Sequence, residues 1–281
     1  MNEAVLVAVI TLLSDFGLKD PYVAEMKAVI LSICPEACIV DISHDIEKFD
    51  IRMGAFVLAS AAQYFPKGTV HVAVVDPGVG TKRRPVVVET ERGFYVGPDN
   101  GLLMLSARRE GIRHVYNISN PQYMRPRVSR TFHGRDIFAP AAAHLAKGHS
   151  PSEFGTEIHD YALPKFAHPK LRKGEFLGEV LFTDGFGNMV TNISMRDLEK
   201  MGVCEGCLLH VKFKDKVLDL KLYSAYGAVP AGRVLAIIGS SDFLEISVNQ
   251  ANASQIFGVK TGDSVDISLH SSSNGSERRS I

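Results

Sequence analysis

The chain has 281 residues, of which 46% are hydrophobic, and its 31 basic and 31 acidic side chains give a formal net charge of zero. This length allows one large domain or two smaller ones, each with a buried core. The missing basic excess argues against a nucleic-acid-binding protein, and the apolar content argues against disorder over most of the chain. No apolar run reaches the roughly 20 residues of a membrane helix, and the first run lacks a basic leader. We therefore expect a cytoplasmic protein without a membrane partner.

The first half of the chain alternates apolar, strand-like runs with helical patterns. Strands are predicted at 4–14, 37–42, 69–75, 85–91, 93–96 and 114–118, and helices at 21–34, 51–65, 102–109 and 137–147. Pro21 suits the first turn of a helix, and Asp50 suits an N-cap. The runs at 85–91 and 93–96 predict a hairpin. Strands that alternate with helices predict an α/β domain with a mostly parallel sheet, which we place at residues 1–165.

The second half changes to short strands separated by turns. Residues 150–174 are rich in proline and polar side chains, with little periodicity, and predict a linker. Strands are predicted at 177–183, 188–193, 208–213, 216–222, 234–238, 243–248 and 264–268. This spacing favours a small β-barrel or sandwich, placed at residues 172–270. The polar tail at 271–281 is expected to be disordered.

Four cysteines form two close pairs, Cys34 with Cys38 and Cys204 with Cys207. Two such pairs can build a tetrahedral zinc site. However, a proline separates the first pair, and we expect no metal. Buried thiols, a surface turn or a disulfide are the other interpretations.

Three acidic loops, at 14–22, 41–45 and 76–84, follow predicted strands, where α/β domains bind their ligands. Asp15 can accept two hydrogen bonds, as from a ribose diol, or can simply cap the next helix. The loop from Asp76 to Arg83 contains glycines that let main-chain amides approach a small ligand. It lacks both GxGxxG and a Walker lysine–serine pair, which excludes a nucleoside triphosphate site. Its alternative interpretation is a surface loop with a basic end.

Three further segments are ambiguous when each is taken alone. His133 precedes a predicted helix, and local hydrogen bonds there would explain it without catalysis. Phe186 and Asn188 lie on a loop with Asp184, where an aromatic face beside an amide suits a flat heterocycle; a hairpin turn with an aromatic plug is the alternative. Glu245 lies on a predicted strand after Ser240, and needs a polar partner if it is buried.

In combination, these segments resemble the S-adenosylmethionine (SAM) hydroxide adenosyltransferases, a family related to enzymes that make fluorinated or chlorinated adenosine. Seven motifs occur in the family's order: SDFGLKDPYVAEMKAVI, DISHDIEKFD, VVDPGVGTKRR, GPDNGLL, TFHGRDIFAPAAAHLA, TDGFGNMVTNI and SSDFLEISVN. The resemblance implies an α/β N-terminal domain, a C-terminal barrel and a homotrimer. It also implies that the substrate lies between the N-terminal domain of one subunit and the C-terminal domain of its neighbour.

The resemblance implies the following roles. Asp76, Arg83 and His133 match the family's water-handling triad, and Asp15 matches the position that grips the ribose hydroxyls. Asp184 and Ser240 match positions that hold the methionine end. The remaining implied substrate contacts are Asp20, Tyr22, Phe49, Phe186, Asn188, Glu245 and Val248. No cofactor is implied besides the substrate itself.

The resemblance implies hydrolysis of SAM to adenosine and L-methionine by in-line attack of activated water on the ribose 5′ carbon. Arg83 would stabilise developing hydroxide, while either Asp76 or His133 could take the proton. The fluorinating relatives carry tyrosine at the positions of Asp76 and His133, serine at Gly134, and an insertion after the DPGVG-type loop. These differences favour the hydrolytic branch over a halogenase. A non-catalytic SAM or adenosine sensor remains the alternative from another class.

Overall fold

The computed structural model describes residues 8–269, which separate into two compact units with the boundary between Ala167 and His168. The predicted disordered tail and the first residues of the predicted strand at 4–14 lie outside the described residues. The expected linker at 150–174 is only partly irregular. Phe154 and Phe166 are buried, so residues up to Ala167 pack as part of the first unit.

The first unit is built on a six-stranded sheet of order β2-β1-β3-β5-β4-β6. The strands are β1 (Val9–Ser14), β2 (Cys38–Ser43), β3 (Val70–Val74), β4 (Pro85–Thr90), β5 (Phe94–Pro98) and β6 (Ile112–Asn117). β1 pairs in parallel with β2 and β3, and β3 with β5, whereas β4 is antiparallel to both β5 and β6. Only β4 therefore runs against the other strands, which confirms the mostly parallel sheet and the hairpin.

Helices cover the sheet, as expected for strands that are buried on both faces. They are α1 (Tyr22–Ile33), α2 (Ile51–Ala62), α3 (Met104–Glu110) and α4 (Ala139–Ala146). α1 packs on α4 over Ile10, Leu12 and Val72, while α2 packs on α3. Asp50 caps α2 by accepting a hydrogen bond of 2.9 Å from the Met53 amide, as predicted.

The second unit is a closed barrel. Its strands are β7 (Lys170–Arg172), β8 (Glu175–Thr183), β9 (Met189–Ser194), β10 (Leu208–Phe213), β11 (Lys216–Tyr223), β12 (Val234–Ile238), β13 (Phe243–Val248) and β14 (Ser264–Leu269). The ring closes because β14 pairs with β8, which leaves β7 as an added strand on β8. All seven predicted strands are present. The fold is a barrel and not a sandwich, which confirms one of the two predicted alternatives.

Two short helices of the second unit were not predicted, α5 (Met195–Lys200) and α6 (Ala253–Phe257). Ser194 caps the first by accepting from the Asp197 amide, and Asn252 caps the second by accepting from the Gln255 amide. Each helix is too short for apolar periodicity to show. Among residues 8–269, no helix is long and apolar enough to cross a bilayer.

Candidate functional site

The first unit contains a cavity of about 430 Å³ at the edge of the sheet where β1 and β3 end. Six residues singled out from the sequence line it: Asp15, Asp20, Tyr22, Phe49, Asp76 and His133. Parallel strands bring their carboxyl ends to one edge, which is why loops far apart in sequence meet there. Arg83 does not line this cavity and lies behind two residues that do.

The loop between β3 and β4 holds Asp76 and Arg83 together. Arg83 Nε donates to both carboxylate oxygens of Asp76 at 3.0 Å, and Arg83 Nη2 also donates to Oδ2. The arginine side chain is 10% exposed and the aspartate side chain 5%, so water screens this pair little. Gly80 turns the loop at φ +74°, and a Cβ there would clash with the carbonyl oxygen of Arg130. The alternative of an exposed basic surface loop is therefore wrong for Arg83.

His133 is joined to the same arginine. Arg83 Nη2 lies 2.8 Å from His133 Nδ1, and since a guanidinium can only donate, Nδ1 must accept. The proton of a neutral ring then sits on Nε2. Burial lowers the pKa of His133, and the positive charge of Arg83 lowers it further, against a smaller opposing effect of Asp76. His133 is therefore neutral at pH 7, and the partner that fixes it is distant in sequence.

The backbone around His133 is unusual as well. The residues that follow it, Gly134–Phe138, form a π-helical turn that leads into α4. Such turns are rare and occur often at functional sites. The centroid of the Phe138 ring lies 5.3 Å from the Arg83 guanidinium carbon, so the guanidinium packs over this ring. Arg83 thus bonds to both Asp76 and His133 and can orient them, while its expected stabilisation of hydroxide stays a prediction.

Asp15 also lines this cavity. Its Oδ2 accepts a 2.9 Å hydrogen bond from the Phe49 amide, while Lys48 Nζ donates to its main-chain carbonyl. α1 begins only at Tyr22, so Asp15 does not cap that helix. Phe49 has φ +68° and its side chain is largely exposed. A bulky residue in this conformation is strained, and such strain is typical of ligand-binding loops.

A chain of polar groups, two of them buried, supports the Asp15 loop. Ser14 Oγ lies 2.7 Å from His44 Nδ1, and His44 Nε2 lies 3.1 Å from Asp41 Oδ1. The His44 carbonyl also accepts from the Gly17 amide at 2.8 Å. Because Ser14 and His44 are buried, we assign this chain to fixing the loop and not to attacking a substrate.

An aromatic wall completes the first cavity. Phe16, Tyr22 and Phe132 pack with ring centroids 5.1–5.7 Å apart. Aromatic faces attract a cationic ligand group, and the carboxylates of Asp15 and Asp76 do so too. Sequence reasoning identified Tyr22 but missed Phe16, Phe132 and Lys48. The two phenylalanines lie inside the quoted motifs, yet nothing local distinguishes them from core residues.

The second unit contains a separate cavity of about 670 Å³. The other predicted contacts all line it: Asp184, Phe186, Asn188, Ser240, Glu245 and Val248. Asp184 Oδ1 accepts from the amides of Phe186 and Asn188 at 3.0 and 2.9 Å, and its Oδ2 accepts from Asn188 Nδ2 at 2.8 Å. This turn presents the Phe186 ring, which is 83% exposed and lines the cavity. An exposed ring of that size does not plug a core.

Glu245 is buried in this cavity and has the polar partner that the sequence left open. Tyr226 donates a 2.7 Å hydrogen bond to Glu245 Oε2. Burial raises the pKa of Glu245; the tyrosine opposes this, and the nearby Asp184 carboxylate adds to it. Gly239 has no side chain beside the pair, and a Cβ there would clash with Glu245 Oε1. Tyr226 was missed because its segment carries no motif that sequence reasoning had singled out.

Metal binding has no support in the described part of the chain, because no group of three or more His, Cys, Asp or Glu side chains is arranged to hold an ion between residues 8 and 269. The chemistry available there consists of carboxylates, a buried guanidinium, a neutral imidazole and aromatic faces.

Comparison with known families decides the classification. Residues 10–155 match the SAM hydroxide adenosyltransferase N-terminal domain, and residues 178–266 match the C-terminal domain of the same family. The chain belongs to the SAM hydroxide adenosyltransferase family. The family match confirms the resemblance drawn from the seven motifs, and the two matched segments fall one in each compact unit.

Several relatives carry a named activity. The chain is 39% identical to an (R)-S-adenosyl-L-methionine hydrolase of Thermus thermophilus, over 89% of this chain and 95% of that protein. It is 36% identical to a hydrolase of the same name from Methanocaldococcus jannaschii, over 92% and 95%. A fluorinase of Nocardia brasiliensis is 30% identical, over 93% and 97%. An uncharacterized conserved protein of Thermotoga maritima has a similar crystal structure, with TM-score 0.79, 39% identity, and coverage of 92% and 99%.

Proposed function

We propose that this family member hydrolyses S-adenosyl-L-methionine to adenosine and L-methionine. The observation that carries the proposal is the hydrogen-bonded set Asp76–Arg83–His133, whose aspartate and histidine line a cavity that Asp15 also lines. Relatives at 34–39% identity over about nine-tenths of the chain bear the name (R)-S-adenosyl-L-methionine hydrolase, which supports the assignment.

The reaction needs no acid to expel its leaving group. Attack of water at the ribose 5′ carbon breaks the carbon–sulfur bond, and the bonding electrons neutralise the sulfonium to give the thioether of methionine. The new carbon–oxygen bond leaves one excess proton on the oxygen. Asp76 is the carboxylate of the triad and lines the cavity, so it either takes this proton or accepts a hydrogen bond from the attacking water. His133 already accepts from Arg83 at Nδ1, so we assign it to positioning.

A halogenase is the second possibility, because fluorinases occur among the relatives. A halide nucleophile is an anion, and the first cavity places the carboxylates of Asp15, Asp20 and Asp76 along its walls. These carboxylates would repel a halide anion, whereas neutral water is not repelled. The geometry therefore favours water.

The test is incubation of the purified protein with SAM in halide-free buffer made with H₂¹⁸O, followed by liquid chromatography and mass spectrometry. We expect adenosine that carries ¹⁸O at its 5′ hydroxyl, together with unlabelled methionine. A requirement for halide, or a halogenated nucleoside as product, would overturn the hydrolase proposal in favour of the halogenase. Tight SAM binding without any turnover would favour the sensor.

We further propose that the chain is a homotrimer in which each substrate site uses the first cavity of one copy and the second cavity of another. Mixing two impaired variants at a low SAM concentration tests this, one changed in the first cavity (Asp76→Asn, expected to lower kcat) and one in the second (Asp184→Ala, expected to raise KM). Random mixed trimers would restore about one quarter of the sites, whereas sites confined to one copy would restore none. Sedimentation measures the assembly state independently.

A further inference from the structure

The turn between α5 and β10 carries two cysteines that the proposed function does not use. Cys207 N donates to the Cys204 carbonyl at 3.0 Å, and Gly206 adopts φ +88° between them. The turn is tied to the barrel because Gly206 N donates to the Leu222 carbonyl at 2.8 Å and Leu222 N donates to the Cys207 carbonyl at 2.9 Å. Both thiols are therefore held on a fixed piece of backbone.

The two sulfur atoms already face each other. Cys204 Sγ lies 3.4 Å from Cys207 Sγ, and the Cys204 amide lies 3.3 Å from the same Cys207 sulfur. The first and fourth residues of a β-turn have Cα atoms less than about 7 Å apart, which matches the span of a disulfide. Small side-chain rotations would bring the sulfurs into bonding distance without moving the barrel.

The pair is also accessible and chemically unequal. Cys204 is exposed and Cys207 is partly exposed, whereas Cys34 is buried. The Cys204 amide and then the Cys204 thiol lower the pKa of Cys207, while the hydrogen bond to Cys207 raises the pKa of Cys204. Because the thiolate is the nucleophile in exchange reactions, Cys207 is the sulfur that attacks first.

We propose that Cys204 and Cys207 form a reversible dithiol–disulfide site that exchanges with small disulfides of the glutathione class. The Cys207 thiolate attacks one sulfur of the oxidant, forms a mixed disulfide and releases one thiolate. Cys204 loses its proton to solvent and attacks Cys207 Sγ, which forms the internal disulfide and releases the second thiolate. One small disulfide becomes two thiols, and the protein is oxidised by two electrons.

Two arguments favour exchange over a permanent crosslink or a metal. A disulfide that closes so short a loop removes little entropy from the unfolded chain, so ambient redox conditions decide its state. Structural zinc needs about four ligands. In the part of the chain that the structure describes, no histidine, carboxylate or further cysteine is positioned to bind an ion together with these two thiols.

The experiment equilibrates the full-length protein in buffers of reduced and oxidised glutathione, alkylates the remaining thiols and maps them by mass spectrometry. We expect a 204–207 disulfide that dithiothreitol reverses. Cys204→Ser should instead retain a mixed disulfide on Cys207, and Cys207→Ser should react more slowly than Cys204→Ser. Cys38→Ser is the matched control at an exposed thiol, and it should leave the internal disulfide unchanged.

The proposal is overturned if residues 204 and 207 remain alkylatable while Cys38 becomes modified, if the unsubstituted protein retains a stable mixed disulfide, or if purified protein contains zinc that protects the pair. SAM turnover by Cys204→Ser should equal that of the unsubstituted protein, so the result does not depend on the proposed function. Circular dichroism checks that the serine variants fold.

Discussion

The two cavities manage buried charge in opposite ways. In the first, Arg83 is ion-paired with Asp76 and lies against His133, and its charge helps to lower the pKa of the histidine. In the second, burial and the Asp184 carboxylate raise the pKa of Glu245, whose described partner is the neutral hydroxyl of Tyr226. The first cavity therefore has a fixed ion pair at its lining, whereas in the second the charged form of Glu245 is disfavoured.

This contrast suggests a division of work. Changes in the first cavity should lower kcat, because they disturb groups that act on the nucleophile, while changes in the second should raise KM.

The largest effect is expected from Asp76→Asn. The amide keeps the shape of the carboxylate but accepts protons poorly, so kcat should fall about 10³-fold with KM for SAM nearly constant. Adenosine formation measured by chromatography gives both parameters. Asp160→Asn is the matched control, because Asp160 is an exposed carboxylate paired with Arg84. Turnover of Asp76→Asn near that of the control would remove Asp76 from the mechanism.

Arg83→Lys should lower kcat by about 10²-fold. An ammonium keeps the charge but cannot make the bidentate contact with Asp76 while also donating to His133. Arg84→Lys is the control, since the neighbouring arginine pairs with Asp99 and Asp160 outside the cavity lining. The indirect role of Arg83 would be wrong if Arg83→Lys raised KM alone.

The pH dependence of kcat should report His133. Its pKa lies below the ordinary value, so kcat should stay constant from pH 8 to about 6.5 and decline about tenfold per pH unit only below the folded-state pKa. Protonation at Nδ1 removes the acceptor for Arg83 and brings two cations together. His133→Asn keeps an acceptor without titrating, and its profile should lose this acid limb. An unchanged limb would assign it to another group.

The same histidine affects stability in a defined direction. Between the folded-state pKa and the ordinary value near 6.5, the unfolded chain binds more protons than the folded chain. The contribution of His133 to the free energy of unfolding should therefore decrease as pH falls through this window. Denaturant titrations of the unsubstituted protein and His133→Asn at several pH values measure the difference.

The smallest effect is expected at Glu245. Since burial already disfavours its charge, Glu245→Gln should change KM by less than about threefold, while Glu245→Ala should raise KM about tenfold by leaving Tyr226 without its acceptor. Equal kcat in both variants would support the division between cavities. A large loss of kcat in Glu245→Gln would break it, because that result requires a charged Glu245 in the reaction.

The sequence predicted the architecture well because its strands follow simple rules. Buried runs such as Val70–Val74 and the alternating strands of the barrel stand out against glycine and proline turns. The sequence did not predict the short helix Ala253–Phe257 or the strand Lys170–Arg172, because so few residues show no hydrophobic periodicity.

The site was predictable in membership but not in geometry. All thirteen residues chosen from the sequence lie in or directly behind one of two cavities. Their assignment to roles stays a prediction. Tyr226 escaped notice because its partner, Glu245, is 19 residues away. The position of Arg83 behind Asp76 and the left-handed backbone of Phe49 depend on tertiary packing, which no local pattern encodes.

The reversed strand β4 has a consequence for how this site can change over evolution. A parallel successor to β3 would have carried the chain to the far edge of the sheet, away from Asp76. Because β4 runs in the opposite direction to β3, the loop between them begins and ends at the same edge of the sheet. Lengthening this loop costs little free energy, because the entropic cost of loop closure grows slowly with loop length. Residues that change the chemistry of the site can therefore be inserted in this loop, close to Asp76, while the sheet stays unaltered.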